Sequence, residues 1–215
     1  MLTRFYKSIF EIIIFSLCFF PIATSAGVFS GADVSGEGKI TSYLGVQTQE
    51  RLYYELVVGQ NRYESAEKSY AQGYMAGGIG YRWYGTWHTN LLLGFENTGV
   101  SEVGLGRNRG QRFSGLYTQL TLMNFWGDKN IEYLLSYSES SEQIWSRLRL
   151  KYYTSTGLLA GPELVVTRFR DYEYQGGGLV IEKIIFPYTI TTKLGVRNQQ
   201  YFFTPYGGLE LYFSF

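Results

Sequence analysis

The sequence predicts an all-β fold: a single antiparallel β-barrel spanning an outer membrane, preceded by a cleaved signal peptide. Three observations carry this expectation. The chain alternates apolar with polar or small residues almost throughout, as the closing stretch GGLELYFSF (207–215) shows, and a period of two describes a strand with one greasy and one wet face. Aromatic residues make up 18% of the chain, which also has 26 glycines, a β-rich composition. Finally, no apolar stretch after residue 26 is long enough for a spanning helix, which needs about 20 residues.

The first element is the leader. Arg4 and Lys7 precede an apolar run from Ile12 to Ile22, and Ala23-Thr24-Ser25-Ala26 follows before Gly27. This is the layout of a secretory signal peptide over 1–26, cleaved after Ala26. Cys18 is the only cysteine and lies in that segment, so the mature chain, 27–215, offers no disulfide, thiolate metal site or cysteine nucleophile. Cleavage removes two of the 19 basic and one of the 18 acidic residues, which leaves the mature chain without net charge. Long-range attraction to nucleic acid is not encoded, and neither a cofactor nor a metal site is indicated.

Twelve strands follow, with ten as the alternative count: 27–34, 39–48, 51–60, 70–83, 87–96, 112–126, 130–138, 142–154, 158–169, 173–185, 189–197 and 204–215. Even-numbered strands end in tight turns, whereas the odd-numbered ones include the two longest connections, 61–69 and 97–111. Short turns on one side and long loops on the other is the asymmetry of bacterial outer-membrane barrels. A secreted β-sandwich would alternate too, but would require neither this asymmetry nor lipid-length strands.

The faces follow from the charges. On the eighth strand, Arg147, Arg149 and Lys151 share one side and Ile144, Leu148, Leu150 and Tyr152 the other. A midplane Arg or Lys facing lipid costs about 2–4 kcal/mol, so the cations must face the lumen. The same rule turns Leu209, Leu211, Phe213 and Phe215 toward lipid and places the last strand against the first. The inward candidates are Glu55, Arg82, Glu132, Arg147, Arg149, Lys151, Glu163, Lys193, Arg197 and Glu210. Such a mixture of signs either forms a salt-bridged plug, the preferred reading, or lines a polar path on which the cationic ladder guides an anionic sugar. Eight strands leave a lumen just filled by side chains and about 16 leave a channel, so twelve forces neither.

No catalytic constellation stands out. His88, the only histidine, begins the fifth strand beside a turn on the inner side, away from the outer leaflet where lipid-modifying barrels pair a His with a Ser; it reads as an interfacial residue beside Trp87. The aspartates of the mature chain, Asp33, Asp128 and Asp171, do not cluster. GLGRNRGQR (104–112) lacks both the dinucleotide spacing and a following helix. As an exposed loop it offers Arg107, Arg109 and Arg112 to lipopolysaccharide phosphates or an anionic glycan, although a solvated loop is the preferred account of them.

MAGGIGYRWYG (75–85), LLLGFENTG (91–99), GQRFSGLYTQLTLMNFW (110–126), LLSYSESSEQIWSRLRLKYY (134–153) and GPELVVTRFRDYEYQGGGLVIEKI (161–184) resemble the BcsS family of outer-membrane barrels associated with bacterial cellulose biosynthesis. The resemblance covers roughly 40–200, with 80–83 and Gly161-Pro162-Glu163 as landmarks. It implies a non-enzymatic role in making, exporting or anchoring cellulose or another exopolysaccharide. The expected partners are outer-membrane lipid, lipopolysaccharide, the barrel-assembly machinery through the aromatic last strand, and the polysaccharide itself. The alternatives are a passive oligosaccharide channel and a lipid-modifying enzyme.

Overall fold

The structure, a computed structural model, describes residues 27–214 apart from 36–38, 49, 65–68, 104–109, 170–171 and 200–201. The signal peptide with Cys18, the arginines Arg107 and Arg109, and the terminal Phe215 lie outside the described residues.

Twelve strands form one closed antiparallel barrel in which each pairs with its sequence neighbours and β1 closes on β12. They are β1 (Gly27–Ser35), β2 (Lys39–Gln47), β3 (Leu52–Glu64), β4 (Ser69–Tyr84), β5 (His88–Val103), β6 (Gly110–Trp126), β7 (Lys129–Ser138), β8 (Gln143–Tyr153), β9 (Leu159–Phe169), β10 (Tyr172–Ile185), β11 (Tyr188–Gln199) and β12 (Phe202–Ser214). The expected fold class and strand count are borne out. Partner residues run from Gly27 through Gln47, Tyr53, Gly80, Leu92, Gln119, Ser136, Trp145, Thr167, Tyr174 and Gln199 to Phe202. That row starts at the turn end of β1 and finishes at the loop end of β12, which is the stagger that tilted strands need in order to close.

Two expected loops are mostly strand. β3 runs on to Glu64 and β5 to Val103, and β6 starts at Gly110. Pairing continues without a break through Ala71↔Ser101 and Gly99↔Arg112. The outward face explains the misreading. Below this level it carries Val58, Met75, Phe95 and Leu116, all exposed and apolar, and above it Gln60, Gly73, Asn97 and Ser114. Loss of outward hydrophobicity marks where the wall leaves lipid, while backbone hydrogen bonding carries the strands further. The asymmetry between the two ends therefore lies in strand length over β3 to β6 more than in loops.

The outward face is a belt of exposed apolar side chains, including Phe203, Phe95, Leu194 and Leu179 at 77%, 71%, 67% and 64%. Trp83, Trp126, Tyr152 and Tyr188 ring the turn end, and Lys129 Nζ sits 5.7 Å and 5.9 Å from the Trp126 and Tyr152 rings. An aromatic girdle with a snorkelling cation is the signature of a bilayer interface. At the same end, Gly127, with φ of 60°, opens the two-residue turn between β6 and β7; a side chain there would be strained.

Candidate functional site: the barrel lumen

The inward face divides into an ionic wall and an aromatic wall. Arg147 donates to Glu132 at 2.5 Å and to Glu210 at 2.9 Å. One step along β8, Arg149 donates from Nε to Glu163 at 2.6 Å and from both terminal nitrogens to Glu210 at 2.9 Å and 2.6 Å. Lys151 bridges Glu182 at 2.8 Å and Glu132 at 3.2 Å. Lys193 joins Asp33 at 2.7 Å to Glu210 at 3.0 Å. Alternation on β8 projects three cations inward, and the flanking strands answer with carboxylates at nearly matching levels, Glu132 facing Arg149 across β7 and Glu163 facing it across β9. Arg149 and Glu163 are each 1% exposed. Charges so far from water persist because every one is paired and hydrogen-bonded.

The opposite wall is tyrosine and glycine. A Cβ on Gly80 would fall 1.9 Å from the Tyr53 ring and one on Gly45 2.0 Å from the Phe29 ring. Glycine on one strand thus lets an aromatic ring from the next lie against the backbone. Arg82 stands between these rings, its guanidinium 4.7 Å from each centroid, and donates to Gln47 at 2.8 Å. Tyr43, Tyr74 and Tyr117 continue the wall toward the loop end, with the Tyr74 hydroxyl 2.9 Å from that of Thr41. Because the rings hug the wall, a cavity of about 480 Å³ remains between the two halves.

That cavity stops short of the loop end. Val100 and Phe169, 5% and 1% exposed, form a second apolar cluster with Tyr70, Phe113 and Tyr174 packed on it. All five lie on the loop-side ends of inward-facing rows, above the lining residues of the same strands such as Glu96 on β5 and Tyr117 on β6. The turn between β7 and β8 folds in beside them. Glu96 accepts from Ser138 and Ser140 at 2.6 Å each, and from Thr98; Ser141 is fully buried next to Ser138. Glu139 ties the turn to β6 through Leu116 N at 2.9 Å, over Gly115, where a Cβ would meet Ser140 N at 2.8 Å. At the other end the cavity reaches Phe125 and Ile184, each half-exposed.

Glu55 and Arg82 line the cavity from the aromatic side. Glu132, Arg147, Arg149, Lys151 and Glu210 line it from the ionic side, and Glu163 and Lys193 back that network. Arg197 sits apart, nearer the loop end, with its guanidinium 5.7 Å from the Tyr174 ring. Arg112, expected in a loop, stands on β6 opposite Gly99 with its side chain exposed, because β5 and β6 stay paired beyond the lipid belt. His88 is exposed at the turn end against the Tyr84 ring, centroids 5.7 Å apart. Sequence reasoning missed Asp33, Glu96 and Glu182, which hold the network and the mouth. Each has a partner on another strand, so only the barrel's register brings them together.

Closed topology, lipid-facing belt and interfacial girdle together define an outer-membrane-type β-barrel whose lumen is partly filled by side chains. No protein-family model and no curated protein matches the chain. Among solved structures it is similar to the KdgM porin in complex with disordered oligogalacturonate, at 10% identity and a TM-score of 0.50 over 88% of this chain and 99% of that one. It is equally similar to LpxR from Salmonella typhimurium, at 9% identity and 0.50 over 89% and 100%. These likenesses show the fold. The translocator domain of autotransporter NalP from Neisseria meningitidis matches at 12% identity and 0.49 over 99% and 96%.

Proposed function

We propose that the protein is a non-enzymatic, non-conducting barrel of the bacterial outer membrane that serves the assembly of cellulose or a related exopolysaccharide. The observation that carries the non-conducting part is the fate of the lumenal charge. Arg147, Arg149, Lys151 and Lys193 are each engaged by carboxylates of the same wall, so the ladder is spent on the plug and does not guide anions. The apolar cluster around Phe169 spans the lumen near the loop end, and an apolar constriction of this kind stops ions by excluding their water. The polysaccharide part rests on the resemblance of residues 40–200 to the cellulose-associated barrels.

Deletion of the gene in its own bacterium tests the reading. The expected outcome is loss or mislocalisation of cellulase-sensitive surface polysaccharide with an unchanged lipid A mass spectrum. Unchanged polysaccharide would refute it, and an altered lipid A spectrum would move the protein to the lipid-modifying enzymes. The second reading, a passive oligosaccharide channel, is favoured by the 480 Å³ cavity and requires the loop-end cluster to part.

A further inference from the structure

We propose that the lumenal cavity is a blind receptacle for the end of an uncharged polysaccharide chain, admitted from the turn side. The inference rests on the polysaccharide reading for the class of ligand and adds the site and the charge of what it holds. At about 480 Å³ the cavity has the size of an ordinary ligand site. It runs along β6 from Phe125 at the turn end to Tyr117, and the Val100 and Phe169 cluster stands beyond it. A chain can enter such a space but not pass through.

The lining selects a neutral sugar. The cations of the ionic wall are matched by acids, so an anionic glycan would have to displace buried carboxylates to reach them. What remains for a ligand carries no net charge: Asn90, Gln119, Thr121 and Ser136, with tyrosine rings opposite and one acid and one base, Glu55 and Arg82, among them. Two of the amides that line the cavity keep a buried oxygen without a hydrogen-bond donor. Asn130 is 1% exposed and donates to the Asn124 carbonyl at 3.3 Å, but its Oδ1 has no partner. Asn61 is 7% exposed and donates to Gln72 at 3.2 Å, and its Oδ1 too has none. Both line the cavity. Buried acceptors of this sort are costly unless something donates to them, and sugar hydroxyls are donors. Aromatic surface with neutral amides and hydroxyls suits a saccharide, whose hydroxyls ring an apolar body.

The test is calorimetric titration of the full mature barrel, refolded in detergent micelles, with a β-1,4-linked glucose hexamer and separately with a galacturonate hexamer. Trp145, which lines the cavity, gives a fluorescence readout in parallel. The neutral hexamer is expected to bind with millimolar or tighter affinity and at least tenfold more tightly than the charged one. Thr121→Trp, which places an indole in the cavity, is expected to abolish binding. Asn130→Leu, nearly isosteric and gentler on folding, should weaken it about tenfold; Arg112→Ser, exposed on β6 and outside the cavity, should leave it intact. Silence from the neutral hexamer with the heat-modifiable, folded band present would overturn the proposal, as would preference for galacturonate or full binding by Asn130→Leu. Silence here with polysaccharide still lost on gene deletion overturns the receptacle alone. Normal binding with polysaccharide unaffected by deletion overturns the cellulose role alone.

Discussion

Arg149 shows how single residues govern this lumen. It is 1% exposed and contacts Glu163 and Glu210, with Glu132 3.8 Å away. Arg149→Met leaves the buried Glu163 carboxylate without its counter-charge and is expected to lower stability by about 3–5 kcal/mol, measured by urea unfolding in lipid vesicles. The double change Arg149→Met with Glu163→Leu should recover part of that loss, because a matched apolar pair replaces a matched ionic one. On the other wall, Gly80→Val drives a side chain into the Tyr53 ring. A cost of about 1–3 kcal/mol in the same assay is expected from overpacking. Facing lipid, Leu179→Arg should cost about 2–4 kcal/mol, whereas an added Arg at Asn97, above the lipid belt, should cost little.

Alternation made the strands and their faces legible in the sequence, since a period of two needs no knowledge of partners. Lys151 and Arg147 could be turned inward from β8 alone. What they touch could not be read there, because Glu132, Glu182 and Glu210 lie on three other strands whose register is fixed by closure of the whole sheet. The upper halves of β3 to β6 were hidden for a different reason. Outside lipid their outward positions are polar, so hydropathy fades while backbone pairing continues. The turn between β7 and β8 belongs to this scale too. Its serines look like an ordinary solvated loop, yet Glu96 draws two of them inward. Glu96→Ala should speed amide hydrogen exchange at 139–141 while leaving the barrel strands protected, because the carboxylate is the acceptor that holds the turn.

For the whole molecule, the outer belt commits the barrel to lipid and the inner walls decide what the barrel can do there. Twelve strands enclose more space than eight, whose interior is just filled by side chains. The tyrosines spend part of that space lying flat on glycine, the ionic network takes another part, and the Phe169 cluster crosses the lumen near the loop end. The proposed role for a molecule built this way is to hold rather than to conduct. Planar-bilayer recording of the refolded mature protein tests that most directly, with the wild type set beside the double variant Phe113→Ala, Phe169→Ala. The wild type should be silent and the variant should carry discrete, ohmic steps, because removing two rings opens the loop end above an existing cavity. Steady conductance from the wild type, unchanged in the variant, would contradict the closed lumen.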